Sequence, residues 1–397
     1  MNVVYASSVD VSVPNGPGVN ELEFISALAR RQDLRATFIL PRPSMPAPSV
    51  LEEIQILQVP RTDVRNIYRW TVHQTALYRR LVKTTKCHRF DLIVIRAGIF
   101  PIAFWMFLRR SNIPYAVKTA GNGRFDVFDR KGSAWQRLRR VNQHLYREVL
   151  DNAIVVDCVS EAHVQSLKAL STCSNIIRVD NGVNIERFYP KESSVSRHKV
   201  GLDRFQYVVG YAGNVAWERG GMQLVEVLPR LRMRYGNVGA VIMGGGSGTD
   251  ALKARARSLG VDDACVFTGS VPYDQVVDYI NSFDVGVSLL RPNKEGASEQ
   301  KVRQYLACGI PVVVNSTSSA FVERCGVGHV VPYDDIDKIY EALSYWLKQS
   351  ADEREDVRMR ARSLAVKELS VEARLEERLD AYRSALALRE DRPLQLL

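Results

Sequence analysis

Two doubly wound parallel-sheet α/β domains facing across a cleft are expected from this sequence, and three features carry the expectation. Short apolar runs alternate with longer stretches of helical periodicity along the whole chain, the pattern of βα units in parallel sheets. The chain has 397 residues, 46% hydrophobic and 25% charged, so it is globular and longer than one hydrophobic core usually serves. The segment KESSVSRHKVGLD after Pro190 is polar, lacks periodicity and contains Gly201, which makes it the best linker. The expected division is a first domain over 1–190, the linker 191–203 and a second domain over 204–370. A C-terminal helix, 371–397, is free to pack on either domain or to return from the second to the first.

The opening MNVVYASSVD lacks the basic leader, apolar core and small-residue cleavage site of a signal peptide, so it reads as a buried strand and a cytoplasmic protein is expected. In the first half, strands are expected at Asn2–Ser7, Ala36–Leu40, Leu92–Arg96, Tyr115–Thr119, Ala153–Asp157 and Ile176–Asp180, with helices between most of them. The longest apolar stretch, Ala97 to Leu108, is too short to cross a bilayer and carries Pro101 where a helix would begin, so it reads as a core helix. In the second half, strands are expected at Tyr207–Tyr211, Ala240–Met243, Cys265–Thr268, Val285–Leu289 and Val312–Asn315. From Asp334 the chain is mostly helical, and Leu375, Leu379, Tyr382 and Leu386 share one face of the last helix.

Six scattered cysteines form no CxxC and no metal-ligand spacing, so buried, reduced thiols are expected. Charge is lopsided: residues 1–190 hold 26 Lys+Arg against 16 Asp+Glu, and the remainder 28 against 28, so the formal +10 lies in the first half. No nucleic-acid-binding signature accompanies the basic residues, and an anionic membrane surface or a pyrophosphate-bearing acceptor fits them better. In residues 63–89, Ile67, Trp70, Gln74, Leu77 and Leu81 share a largely apolar side, while Arg65, Arg69, Arg79, Arg80, Lys83 and Lys86 spread around the rest. Arg109, Arg110 and RLRR at 137–140 add charge. Such a helix either lies on an anionic bilayer or packs on the core with a solvated basic face.

Five segments carry candidate chemistry. Gly16 and Gly18 precede a helix, where backbone amides and the helix dipole can meet an anion, although plain surface turns use the same residues. The strand-to-loop stretch IIRVDNGVNIERFYP, 176–190, contains an Asn181-Gly182 turn pair. The stretch VVGYAGNVAWERGGMQLVEVLPRL places Gly213 and Asn214 after a strand and Arg219-Gly220 before a helix, with Arg219 able to offer phosphate a fork of donors. GGGSG, 244–248, is not GxGxxG, and no acidic residue ends the next strand, so a dinucleotide reading is poor. The fifth, LLRPNKEGASEQKVRQYLACGIPVVVN, spans 289–315.

In this order, the segments resemble glycosyltransferase family 4, retaining enzymes of the GT-B type with two Rossmann-like domains. The resemblance implies a first, acceptor-binding domain and a second domain binding a nucleoside-diphosphate sugar. It places Gly213, Asn214, Arg219 and Gly220 at the donor pyrophosphate and Gly244 and Gly245 on the floor of the donor site. Val271 and Pro272 of FTGSVPYDQVVDYI fall near the base, Glu295, Gly296, Ala297 and Ser298 at the donor sugar, and Gln304 at the ribose. Gly16 and Gly18 join this donor set, and Arg219 and Glu295 are its catalytic candidates. The chain departs from the family pattern at Asn214, where arginine is common, at Arg219, where lysine is commoner, and at Gln304, where glutamate is usual. The resemblance implies transfer with retention to a glycan or lipid-linked acceptor in bacterial polysaccharide assembly. No metal or other cofactor is expected, because no DxD-type motif stands at a strand end and DDIDK at Asp334 opens a surface helix. Two rival readings are a non-catalytic sugar-nucleotide-binding protein and an epimerase on the same fold.

Overall fold

The computed structural model describes residues 1–13, 16–46, 51–63, 66–98, 100–119, 133–216, 219–291, 299–315 and 319–390. They form two compact units, Met1–Asn181 with Arg374–Leu397, and Gly182–Ala373. Each is an α/β unit around one parallel sheet, the architecture expected above.

The first unit holds a seven-stranded sheet in the order β3-β2-β1-β4-β5-β6-β7. Its strands are β1 (Asn2–Ser7), β2 (Arg35–Pro41), β3 (Ile56–Val59), β4 (Leu92–Arg96), β5 (Tyr115–Lys118), β6 (Val155–Cys158) and β7 (Ile176–Arg178). Parallel register sets Val3 against both Ala36 and Leu92. Helices on both faces explain why β4 reads LIVIR with every residue buried: an inner parallel strand has no solvent side. The helices are α1 (Gly16–Ala29), α2 (Ile67–Cys87), α3 (Ile102–Leu108), α4 (Ser133–Asp151) and α5 (Glu161–Leu170). The apolar stretch from Ala97 is thus a core helix, with Phe104 and Phe107 buried.

Helix α2 corrects the expected apolar side in part. His73, Gln74, Leu77, Leu81 and Thr84 are buried, but Ile67 and Tyr68 are each 75% exposed. The stripe runs off the core at its N-terminal end, where Trp70 meets the ring of Phe100 edge-on at 6.1 Å.

The second unit holds a six-stranded sheet in the order β10-β9-β8-β11-β12-β13. Its strands are β8 (Tyr207–Ala212), β9 (Val238–Met243), β10 (Cys265–Gly269), β11 (Val285–Ser288), β12 (Val312–Val314) and β13 (Gly328–Val330). Helices α6 (Ser193–Val200), α7 (Gly221–Tyr235), α8 (Thr249–Ser258), α9 (Val276–Asn281), α10 (Gln300–Ala307), α11 (Phe321–Arg324), α12 (Ile336–Leu347) and α13 (Ala351–Leu364) accompany them.

Segment 191–203 is not an irregular linker. It contains α6, closed by Gly201 in the left-handed conformation at φ 72°. Lys191 pairs with Asp278 at 2.7 Å and Arg197 with Asp284 at 2.6 Å, while Arg362 donates to the carbonyls of Phe188 (2.7 Å) and Ile185 (2.9 Å). These long-range bonds fasten the stretch from Ile185 to Arg197 to the second unit, and the division falls at Asn181/Gly182 rather than at Pro190.

The last helix, α14 (Val371–Glu390), buries Leu375, Leu379 and Tyr382, leaves Leu386 half-buried, and from Arg374 on belongs to the first unit. Arg378 pairs with Asp157 of β6 at 3.4 Å and donates to the carbonyl of Val179 at 2.7 Å, and the Tyr382 hydroxyl donates to the same carboxylate. A second buried group joins Glu21 to Lys118 at 2.7 Å, to Arg96 and to the Tyr5 hydroxyl. Burial pushes the Glu21 carboxyl up, but Arg96 and Lys118 outweigh it and hold it below its ordinary value.

The cysteines are free, but only Cys158, Cys265 and Cys308 are buried; Cys87 is exposed because it ends α2 at the surface. Among the described residues, no helix is long and apolar enough to cross a membrane, and no three His, Cys, Asp or Glu side chains are grouped to hold a metal ion.

Candidate functional site

In the second unit the strand order reverses between β8 and β11, and ligands of doubly wound sheets bind at the strand C-terminal ends beside such a reversal. The loop leaving β8 begins at Gly213, whose φ of 132° is open to glycine alone. Its amide donates to Met243 at the end of β9 (2.8 Å), and Val215 donates to Gly245 (3.0 Å). The amide of Gly244 in turn reaches Gly269 at the end of β10 (2.8 Å). Three successive strand ends are thereby laced together. A Cβ on Gly244 would overlap the Gly213 carbonyl, so this glycine serves the close approach of two loops. Gly213, Asn214 and Gly245 are exposed on the rim, Val271 is half-buried and Pro272 exposed.

Arg219 and Gly220 lead into α7. Gly220 lies at φ 75°, and a Cβ there would stand 2.8 Å from the Cβ of Leu289 beyond β11, so the chain can pass only without a side chain. Arg219 is half-buried, its amide bonded to Ala216 at 3.0 Å. The free amides of the first turn of α7 follow directly.

Helix α10 closes the other side. Tyr305, on its inner face, accepts a hydrogen bond from the Ala212 amide through its hydroxyl at 2.7 Å, holding the helix to the end of β8. Gln304 is buried on the same helix. Glu299, just before it, is buried and accepts from the hydroxyls of Ser319 (3.0 Å) and Ser288. Burial pushes its carboxyl up in spite of these bonds. Lys301 is half-buried, but its Nζ is buried, 4.1 Å from the centroid of the Tyr211 ring. Sequence reasoning assigned no role to Glu299, Lys301 or Tyr211. The signal was present in the KVRQYLACG stretch, but which helical residues turn toward β8 is set by packing.

Gly213, Asn214, Arg219, Gly220, Gly244, Gly245, Val271, Pro272 and Gln304 thus all lie in the loops and helix around the ends of β8, β9, β10 and β11. Glu295, Gly296, Ala297 and Ser298 lie outside the described residues. Gly16 and Gly18 lie in the first unit and are helical residues of α1 rather than a glycine loop. In the turn before them Asp10 accepts from Ser12 Oγ at 2.6 Å and also from the amide of Ser44, beyond β2, at 3.0 Å. The Asn181-Gly182 pair marks the boundary of the units, where Gln300 donates to the Gly182 carbonyl at 2.9 Å.

Residues 206–349, within the second unit, match the family model described as Glycosyl transferases group 1. A relative is the GDP-mannose-dependent alpha-(1-6)-phosphatidylinositol monomannoside mannosyltransferase of Mycolicibacterium smegmatis, 29% identical over 206 residues, covering 50% of this chain and 54% of the relative. The chain therefore spans about half the length of the curated relatives it matches. Among solved structures, Anabaena HepE in complex with UDP has a TM-score of 0.74 at 16% identity, over 97% of this chain and 100% of that one. Sucrose-phosphate synthase from Thermosynechococcus elongatus has a TM-score of 0.73 at 16% identity, over 98% and 100%. Likeness at this identity establishes the fold, which is GT-B.

Proposed function

We propose that this chain is a retaining glycosyltransferase that moves a sugar from a nucleoside diphosphate to a lipid-linked glycan acceptor in cell-surface polysaccharide assembly. The observation that carries the proposal is the second unit: a match to the glycosyltransferase model, with laced loops that put Arg219 and the start of α7 at the sheet's reversal point. HepE, of like fold, is described in complex with UDP and with UDP-glucose.

Breaking the bond between the anomeric carbon and the phosphate oxygen piles negative charge on the departing diphosphate. A guanidinium fork and helix N-terminal amides, fixed before the reaction, stabilise that charge without a metal. Gln304 serves the ribose as a neutral hydrogen-bonding group. Val271 and Pro272 offer backbone groups to the base, and Glu295 with 296–298 serves the donor sugar. The decisive experiment is sugar transfer from a panel of UDP-, GDP- and ADP-sugars: incorporation into an acceptor from one donor is expected, and donor binding without transfer would contradict the proposal.

The acceptor side of the proposal is a cytoplasmic protein bound peripherally to an anionic membrane. Ile67, Tyr68 and Val72 of α2 and Leu138 and Val141 of α4 are exposed among Arg69, Arg137, Arg139 and Arg140. Phe100 links the start of α2 to the middle of α4, meeting the Trp70 ring edge-on and donating its amide to Asn142 Oδ1 at 2.7 Å. Apolar side chains set among arginines suit an anionic interface, where each cation contributes about 1 kcal/mol. Neutralising Arg69, Arg137 and Arg140 together is expected to weaken binding to phosphatidylserine-containing liposomes roughly a hundredfold at low salt. Equal partitioning of the native protein onto anionic and neutral liposomes would leave a soluble acceptor as the better reading.

A further inference from the structure

Lys301 carries an ammonium that the described residues do not satisfy. Its Nζ is buried and has no hydrogen-bond partner among the described residues. The Tyr211 ring stands 4.1 Å away. The neighbouring carboxylate, Glu299, is taken by the hydroxyls of Ser288 and Ser319. Burying a cation without an acceptor is among the costliest arrangements in a protein, and an apolar side chain of the same length would serve the core better. The ammonium calls for an anion that arrives from outside.

Geometry says where. The end of the side chain lies beside Gly213, where a built Cβ would stand 3.6 Å from Lys301 Cε and 3.7 Å from Nζ, and Gly213 itself is exposed at the mouth of the loop. Arg219 lies at the far end of the same loop and acts on Lys301 as a second positive charge. Asn214, beside Gly213, contributes no charge.

We propose that Lys301 is the second cation of the diphosphate site, reaching past Gly213 to share with Arg219 the phosphates of the nucleotide donor. This rests on the second unit being the donor site. Gly213 then has two tasks, the turn and the opening through which the ammonium meets the ligand.

A pH signature follows. Burial, and after it Arg219, push Lys301 down to about 8, with Glu299 opposing. The Tyr211 phenol also faces it and is itself pushed above its ordinary range by burial, so it stays neutral. A bound diphosphate restores the charge, so binding above pH 8 takes up a proton. Affinity is full below pH 8 and falls as pH rises through it.

The test is calorimetric titration of the full chain with UDP, GDP, inorganic pyrophosphate and uridine at pH 7 and pH 9. The native protein, Lys301→Met, Lys301→Arg and Arg219→Ala are compared. Loss of one charge-assisted contact predicts that Lys301→Met weakens diphosphate binding roughly tenfold to a hundredfold. Uridine binding should stay unchanged, the melting temperature should be equal or higher, and the pH dependence should disappear. Lys301→Arg should recover affinity at pH 7 without the fall at pH 9. A folded Lys301→Met protein that binds diphosphates with the native constant and pH dependence overturns the proposal. If Arg219→Ala then still weakens UDP, the donor-site reading survives. If the native protein binds no nucleoside diphosphate, that reading falls and Lys301 with it. Should Lys301→Met fail to fold, flat native affinity for UDP between pH 7 and pH 9 is the overturning result.

Discussion

Arg219→Ala is expected to lower sugar transfer roughly a hundredfold or more, the scale of losing one preorganised donor at a developing negative charge. The protein should remain folded. Arg219 is half-buried on a loop whose geometry is held by Gly220 and by the hydrogen bond its backbone N–H donates to the Ala216 carbonyl, so removing the side chain opens no core cavity. Because charge on the leaving diphosphate grows toward the transition state, the loss should fall mainly on kcat, with a smaller rise in KM. Arg219→Lys should retain much of the activity, since it keeps the charge and loses only the fork. Steady-state kinetics beside a thermal melt decides it. A folded Arg219→Ala protein with near-native turnover would remove this residue from the chemistry.

The largest effect on stability is expected in the first unit. Asp157→Ala should cost about 3–5 kcal/mol, because it leaves a buried arginine without its counter-charge. The side chains of Arg378 and Asp157 are 3% and 0% exposed, and the Tyr382 hydroxyl loses its acceptor in the same step. Arg378 keeps its bonds to the carbonyls of Val179, Asp180 and Arg374, which satisfy donors of its fork but none of its charge. Urea denaturation measures the loss, and limited proteolysis should release α14 earlier than in the native protein. Replacing the pair together by apolar residues should cost less than Asp157→Ala alone, since no unpaired charge remains. A native denaturation midpoint for Asp157→Ala would mean that this pair does not hold the last helix.

The sheets were legible because inner parallel strands must be apolar on both faces. Runs such as LIVIR and VGAVIM admit little else. The strands that escaped notice, β3 and β13, lie at the edges of their sheets, where four and three residues leave too little pattern to read. Segment 191–203 was misread for a different reason. A two-turn helix with polar residues around most of its surface has no periodicity to find, and Asp278, Asp284 and Arg358, which fasten the segment, lie far along the chain. The apolar side of α2 was legible in angle but not in extent, because where a helix outruns its core is a property of the neighbouring helices. At the site, glycines and Arg219 announced themselves through loop chemistry. Lys301 did not, since a lysine in a helical stretch looks like an ordinary solvated residue until the fold buries it.

The measurement that bears most directly on the central claim is transfer of labelled sugar from UDP-, GDP- and ADP-sugars to a lipid extract. Nucleoside diphosphate release is followed in parallel, with and without a metal chelator. One donor is expected to label the lipid fraction, with release matching transfer, the anomeric configuration retained and neither rate changed by the chelator. Donor binding without transfer to any acceptor would make the chain a sugar-nucleotide-binding protein, and conversion of the donor sugar without an acceptor would make it an epimerase; either result contradicts the account.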